Sequence, residues 1–302
     1  MGLPFLQLLT IAMTPILFIS AACSSSGGDA TNSPVVTSFY PLEYLAERIG
    51  GDNISVKNLV PAGAEPHDWE PTPRDIAAIQ KAKVFIYNGV VESWAERVVG
   101  DLPSSSPLVV RGVGGQTLNN GAEPEAPGLD PHVWLDPVRY QQEADAVYTA
   151  LAKADPEHAV SYQTNLDALK KDLSTLDKEY MSGLATCTRK TVVTSHAAFG
   201  YMAERYGLKQ LAVSGISPDA EPSPARLRKV LGQIKAEGAT HVFFETLVSP
   251  RIGQTLASEA GIKILVLNPL EGLTSDEVKT GENYLTIMRS NLANLKVALG
   301  CH

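Results

Sequence analysis

The chain has 302 residues, of which 44% are hydrophobic and 19% are charged, and its formal net charge is −8 at pH 7. This length and hydrophobic content suit one large or two medium-sized globular domains, and they exclude general disorder. The negative charge argues against nucleic acid as a partner and favours cations.

The first residues have the pattern of an export signal. An apolar run ends at a small-residue site, and a Ser/Gly-rich stretch follows. We therefore assign residues 1–22 to a signal peptide and residues 23–33 to a flexible tether. The sequence SAAC, which ends at Cys23, resembles the lipobox of bacterial lipoproteins, in which the cysteine becomes lipidated. Ser20 stands where Leu is usual, so simple secretion and an atypical anchor are the alternatives. Each of these interpretations places the mature protein outside the cytoplasm, in the periplasm or at the cell surface.

After the tether, short β-branched runs alternate with amphipathic stretches. Such alternation predicts parallel sheets with helices on their faces. Each half of the chain has four of these runs, so we predict an α/β fold with two domains, residues 34–154 and 186–302, each containing a four-stranded parallel sheet flanked by helices. The runs lie at residues 35–40, 55–60, 84–88 and 107–111, and then at 191–195, 209–214, 241–245 and 263–268.

The sequence pattern of residues 155–185 predicts one long helix between the two domains. Pro156 suits the first turn, leucines recur at helical spacing from Leu166 to Leu176, and Gly183 lies near the end. A helix of nearly thirty residues spans about 40 Å, so we interpret it as a stiff spine that links the domains. The Gly- and Pro-rich segment 114–132 is predicted to be a loop.

The six histidines divide into two groups. His158, His241 and His302 are interpreted as structural or surface residues. The other three, His67, His132 and His196, each follow a predicted strand or the loop after it. Because the carboxyl ends of strands form the binding crevice of open α/β sheets, we expect these three side chains to meet in one cleft between the domains. Three imidazoles suit Zn²⁺.

Acidic residues accompany these histidines in the sequence. Asp68, Asp130 and Asp136 lie close to His67 or His132. They can either orient the imidazole rings or cap local turns, and the sequence leaves both roles open.

Five segments, taken in order, resemble one known family, the zinc/manganese-binding extracellular solute-binding proteins of ABC importers, the ZnuA-like or cluster A-I type. The resemblance implies that His67, His132 and His196 are metal ligands in an interdomain cleft. It also implies Zn²⁺ rather than Mn²⁺, because members specialised for manganese commonly carry Glu at the position of His196. The segments are residues 35–52, 63–76, 132–137, 194–208 and 267–274.

The fourth ligand is ambiguous. The family often supplies an Asp after the last strand, but this chain has Asn268 there. A neutral amide is a poor Zn²⁺ ligand, so we predict Glu245, which ends the run HVFFE beside the expected cleft. Asn268, Glu65, Glu271 and water are the alternatives.

The remaining cysteines, Cys187 and Cys301, are predicted to form a disulfide. An oxidising compartment outside the cytoplasm permits the bond. The alternative is two unlinked thiols.

These observations predict a binding protein and not an enzyme. It would be a monomer that captures Zn²⁺ and delivers it to an ABC permease and its ATPase, held at the membrane by a lipid anchor. A zinc hydrolase is one alternative, because three histidines plus water also form catalytic sites, although the chain has neither HExxH nor a GxSxG elbow. A manganese-binding or adhesin-type lipoprotein is another.

Overall fold

The computed structural model describes residues 1–2, 33–103, 107–120, 128–218 and 222–302. Almost all of the predicted signal peptide and tether, including Cys23, lies outside the described residues. Residues 121–127 of the predicted loop lie outside them as well. Among the described residues, none of the helices combines the length and hydropathy needed to cross a membrane.

The first half of the chain forms a four-stranded parallel sheet with strand order β2-β1-β3-β4. Val35 of the first strand lies beside Val56 of the second and Val84 of the third. The chain passes from one side of the first strand to the other, which opens a crevice at the carboxyl ends. The strands are β1 (Ser33–Thr37), β2 (Ile54–Asn58), β3 (Val84–Tyr87) and β4 (Leu108–Arg111), and the helices are α1 (Tyr40–Gly50), α2 (Pro73–Lys81) and α3 (Ala95–Gly100).

Two long helices follow the first sheet. The first of them, α4 (Pro137–Ala154), is not among the predicted elements; the carboxylate of Asp136 caps it by accepting hydrogen bonds from the backbone N–H groups of Val138 and Arg139. The second, α5 (Ala159–Gly183), is the predicted spine and begins after a single 3-10 turn over Pro156–His158. Its 25 residues span about 37 Å.

The second half repeats the first in its topology. Its strand order is β6-β5-β7-β8, which matches the first sheet strand for strand. The strands are β5 (Thr191–Thr194), β6 (Lys209–Ala212), β7 (His241–Phe244) and β8 (Lys263–Val266), and the helices are α6 (Gly200–Arg205), α7 (Pro224–Ala236), α8 (Arg251–Ala260), α9 (Ser275–Thr280) and α10 (Tyr284–Leu299).

The spine helix α5 contacts both halves. It packs against α1 from the first half and α10 from the second, and its buried face includes the leucines from Leu166 to Leu176 that define the sequence pattern. The predicted two-domain α/β architecture is confirmed, whereas the domain boundaries 34–154, 155–185 and 186–302 stay a prediction.

Cys187 and Cys301 form a disulfide, as the sequence predicts. Cys187 precedes β5 and Cys301 follows α10. Backbone hydrogen bonds from Thr188 to Gly300 and from Arg189 to Leu299 run alongside the disulfide. The end of α10 is therefore attached to the start of the second sheet.

Candidate metal centre

Three histidines and one glutamate converge where the carboxyl edges of the two sheets meet. His67 lies between β2 and α2, and His132 precedes α4, whereas His196 follows β5 and Glu271 follows β8. Each imidazole Nε2 atom faces the same oxygen, Oε1 of Glu271, at 3.3 Å for His67, 3.0 Å for His132 and 3.2 Å for His196. The Nε2 atoms of His132 and His196 lie 3.4 Å apart. Four potential ligand atoms thus surround one small volume.

These separations fit a single Zn²⁺ ion. Tetrahedral bonds of about 2.0–2.1 Å place ligand atoms about 3.3 Å from one another. The four side chains offer ligand atoms that all lie within 4.8 Å of one another, and the closest pairs are separated by 3.0–3.4 Å. The donor set of three imidazole nitrogens and one carboxylate oxygen is also one that Zn²⁺ commonly takes.

His67 is presented by a loop that is rich in proline. The carboxylate of Glu65 shapes this loop, since its Oε2 accepts hydrogen bonds from the backbone N–H of His67 at 3.0 Å and of Asp68 at 3.3 Å. The His67 side chain is 8% exposed, whereas those of His132 and His196 are fully buried. His67 is therefore the histidine of the group that lies nearest to solvent.

His132 is oriented by Asp130. Oδ1 of Asp130 lies 2.7 Å from Nδ1 of His132 and also accepts the backbone N–H of His132 at 3.0 Å. An imidazole that donates from Nδ1 to a carboxylate presents the lone pair of Nε2 to a metal. The sequence leaves open whether Asp68, Asp130 and Asp136 orient imidazole rings or cap turns. Asp130 contacts the ring of His132, Asp136 caps α4, and Asp68 is exposed.

His196 is oriented in the same way by Glu245. Oε2 of Glu245 lies 2.5 Å from Nδ1 of His196, and Oε1 accepts the backbone N–H of His196 at 3.1 Å. Both oxygens of Glu245 therefore face the side of the ring that is turned away from the other histidines. The sequence predicts Glu245 as the fourth ligand, and this geometry does not support that role.

Glu271, one of the alternatives, instead has its Oε1 beside all three imidazole Nε2 atoms. Asn268 does not reach the group, because its Oδ1 accepts the N–H of Leu270 and its Nδ2 donates to Glu277. Both Glu245 and Glu271 follow strands of the second sheet, so their place in the sequence alone does not separate them. Their contacts distinguish them, because Glu245 contacts Nδ1 of one histidine and Glu271 contacts Nε2 of all three.

The electrostatics of the cluster are dominated by its buried carboxylates. Burial alone lowers the pKa of an imidazole, but Asp130 and Glu271 outweigh this effect and raise the pKa of His132. Glu245 and Glu271 likewise raise the pKa of His196 well above its usual value against the opposing effect of burial. Burial raises the pKa of Glu271, yet the three histidines overcome it and hold that pKa well below the ordinary range. The low pKa favours the ionised form of Glu271, whereas the raised pKa values of His132 and His196 favour protonated rings, whose Nε2 protons a metal ion has to displace.

Comparison with known proteins gives a consistent family match. Residues 35–298 match the family described as zinc-uptake complex component A, periplasmic. The chain is 38% identical over 308 residues to the high-affinity zinc uptake system protein ZnuA of Bacillus subtilis, covering 94% of this chain and 97% of that protein. It is also 38% identical over 300 residues to the zinc-binding lipoprotein AdcA of Streptococcus pneumoniae, covering 95% of this chain. The chain spans 60% of the length of AdcA.

A solved structure with the same fold is the Zn(II)-bound ZnuA-like domain of Streptococcus pneumoniae AdcA. Its TM-score is 0.79 at 39% sequence identity, and the match covers 89% of this chain and 99% of that domain.

Proposed function

The chain belongs to the family of zinc-uptake complex component A, and we propose that it captures Zn²⁺ outside the cytoplasm and delivers it to the permease of an ABC importer. The ligands would be Nε2 of His67, His132 and His196 together with Oε1 of Glu271. Oε1 of Glu271 lies 3.0–3.3 Å from all three imidazole nitrogens, and this arrangement is the main support for the proposal.

The donor set favours Zn²⁺ over Mn²⁺. Imidazole nitrogen suits zinc, whereas manganese prefers carboxylate, carbonyl and water oxygens. Only one of the four donor atoms is an oxygen. The hydrophobic and hydrogen-bonded surroundings of His132 and His196 also fix the rings before any ion arrives.

The same geometry argues for binding and against hydrolysis. A catalytic zinc keeps one coordination position for water or substrate, whereas four protein ligands complete a tetrahedral shell. Glu271 takes the position that a hydrolase would leave for water.

The cellular setting is part of the proposal. We propose that the mature chain is a monomer outside the cytoplasm, attached to the membrane through a lipid on Cys23, and that its partners are an ABC permease and the associated ATPase. The disulfide between Cys187 and Cys301 suits an oxidising compartment, and the name of the AdcA relative describes a lipoprotein.

A chelator-competition titration tests the proposal. Metal-free protein is titrated with Zn²⁺ and with Mn²⁺ at neutral pH, and we expect one Zn²⁺ per chain, bound more tightly than Mn²⁺. His67→Ala should weaken zinc binding more than about 100-fold, which exceeds the usual effect of groups that only support a ligand. His158→Ala is the matched control, since His158 contacts Asp155 away from the cluster. Equal or tighter Mn²⁺ binding would overturn the zinc assignment, and an unchanged affinity of His67→Ala would overturn the ligand assignment.

A further inference from the structure

The turn that carries Glu271 contains a strained residue. Leu270 has φ 61°, and it is the one non-glycine residue with positive φ in the described part of the chain. A left-handed conformation costs an L-residue with a Cβ atom about 1–2 kcal/mol. Such strain persists only where the surroundings impose it, and it is often found at functional sites. The side chains that form hydrogen bonds with this turn therefore affect the position of Glu271.

Helix α10 holds the turn from one side through Asn291. The Asn291 amide forms a pair of hydrogen bonds with the backbone of Asn268: Oδ1 accepts the N–H at 2.9 Å, and Nδ2 donates to the C=O at 2.7 Å. Asn268 then accepts the N–H of Leu270 at 2.8 Å through its own Oδ1. Asn268 and Asn291 are 3% and 2% exposed, so water does not compete for these bonds.

The first half of the chain holds the turn from the other side through Trp134. Its indole Nε1 donates to the C=O of Pro269 at 2.8 Å, and its ring lies 5.1 Å from the ring of His132 between centroids. The backbone C=O of Trp134 accepts the hydroxyl of Tyr284 from α10 at 2.6 Å. Trp134 thereby connects the segment of His132 to the turn of Glu271.

We propose that Asn291 and Trp134 are positioning residues that fix the 268–271 turn so that Glu271 presents a single oxygen to the three imidazoles, and that this restraint contributes to the preference for Zn²⁺ over Mn²⁺. The proposal rests on the function proposed above. All three contacts of the carboxylate to the imidazole nitrogens are made by Oε1. One oxygen completes a four-coordinate shell, as Zn²⁺ prefers. A carboxylate that is free to rotate can offer both oxygens and raise the coordination number, as oxygen-rich Mn²⁺ sites require.

The primary test is Asn291→Ala, with Asn294→Ala as its matched control. Asn294 lies one turn further along α10 and donates Nδ2 to the C=O of Val266 at 2.9 Å, outside the turn. We expect Asn291→Ala to lower zinc affinity about 10-fold to 100-fold, as for other groups that support a ligand, and to narrow the ratio of Zn²⁺ to Mn²⁺ affinity. The visible absorption of bound Co²⁺, which is intense in four-coordinate sites, should weaken. Asn294→Ala should change none of these.

A double-mutant cycle with Glu271→Ala separates positioning from a general loss of structure. If Asn291 acts through Glu271, its substitution should have no further effect on zinc affinity in the Glu271→Ala background. Trp134→Phe, which removes the indole N–H and keeps an aromatic ring, provides a second route if Asn291→Ala folds poorly, and it should behave in the same way.

The outcomes distinguish this inference from the proposed function. Failure of the parent chain to bind Zn²⁺ would overturn both. If the parent binds Zn²⁺ and Glu271→Ala weakens it, the proposed function stands. An unchanged affinity and Co²⁺ spectrum in Asn291→Ala and Trp134→Phe would then overturn the positioning role, as would losses that persist undiminished in the Glu271→Ala background.

Discussion

The two sheets share one strand order, and at each of them a carboxylate that follows the third strand contacts a group that follows the first. In the first half Ser38, after β1, donates its hydroxyl hydrogen bond to Glu92, which comes after β3. In the second half His196, after β5, meets Glu245, which comes directly after β7. The two pairs therefore occupy corresponding places in a repeated topology.

The two carboxylates differ in what they hold. Glu92 accepts the backbone N–H groups of Asn88 at 2.9 Å and Gly89 at 3.0 Å, so it stabilises the turn that follows its own strand. Glu245 accepts the backbone N–H of His196 and contacts Nδ1 of its ring. The same position in a sheet can therefore support either the fold or a proposed ligand, depending on the residues in the loops.

Two further buried acids extend the comparison. Glu143 on α4, in the first half, is completely buried, and neither oxygen of its carboxyl group has a hydrogen-bond partner among the described residues. Burial and the charge of Glu92 raise the pKa of Glu143 to about 8. Glu271 is buried as deeply but lies among three imidazoles, which hold its pKa well below the usual range. The partners of a buried carboxyl group, more than its depth, decide its charge.

The largest expected contrast is between His196→Ala and Ser38→Ala. The first substitution removes a proposed ligand and leaves Glu245 buried without its imidazole partner, so we expect zinc affinity to fall about 1,000-fold or more, about 4 kcal/mol. Ser38→Ala should leave zinc affinity unchanged and cost about 1.5–3 kcal/mol in the free energy of unfolding, because it removes a buried hydrogen bond to a carboxylate. Chelator competition and urea unfolding measure the two effects. Equal zinc affinities for the two variants would remove the functional distinction between the halves.

A second contrast concerns pH and Glu143. Because its folded pKa of about 8 lies above the unfolded value near 4.5, the folded state keeps a proton that the unfolded state loses. The contribution of Glu143 to stability is therefore undiminished below about pH 4.5 and falls as pH rises through the folded pKa. Between pH 5 and pH 8 the parent should lose about 2–4 kcal/mol more than Glu143→Gln, which does not titrate.

Urea unfolding of metal-free protein at several pH values measures this difference, since chelation removes any pH-dependent contribution from metal binding. Groups elsewhere titrate alike in parent and variant and cancel in the comparison. Parallel pH profiles for the two proteins would show that Glu143 is ionised in the folded state.

The sequence predicts the fold of this molecule better than it predicts which side chains face the candidate metal centre. Alternating β-branched runs predict all eight strands, because strands of a covered parallel sheet are almost continuously apolar. The position of three histidines after strands predicts their meeting, because carboxyl ends of parallel strands share one edge. Helix α4 is missing from the prediction, although Asp136 and Pro137 form a recognisable N-terminal cap and first turn.

The fourth ligand could not be chosen in the same way. Glu245 and Glu271 both follow strands of the second sheet, so the edge rule predicts that both lie near the cleft. Their roles depend on side-chain direction, and that of Glu271 depends on Leu270 at φ 61°. A leucine gives no sequence signal for that conformation, which is usually marked by glycine or asparagine. Tertiary hydrogen bonds from Asn291 and Trp134 impose it instead.

The smallest expected contrast compares the two carboxylates themselves. Glu245→Gln keeps the size of the side chain and can still accept the backbone N–H of His196, but it removes the charge beside Nδ1. We expect zinc affinity to fall about tenfold, at the low end of the range for groups that support a ligand. Glu92→Gln should leave zinc affinity within about twofold while lowering the free energy of unfolding by about 1–3 kcal/mol, because buried N–H groups lose their charged acceptor.

The two variants should therefore affect different properties: Glu245→Gln should lower mainly the zinc affinity, and Glu92→Gln should lower mainly the free energy of unfolding. Calorimetric or chelator titrations and denaturant unfolding on the same preparations would measure both quantities. If Glu92→Gln weakened zinc binding as much as Glu245→Gln did, the first sheet would support the metal site through the segment of His132, which Asn88 contacts at the C=O of Pro131, 3.3 Å away. Asn88→Ala removes that hydrogen bond. If Glu92 acts on the metal site through it, Asn88→Ala should weaken zinc binding as much as Glu92→Gln does.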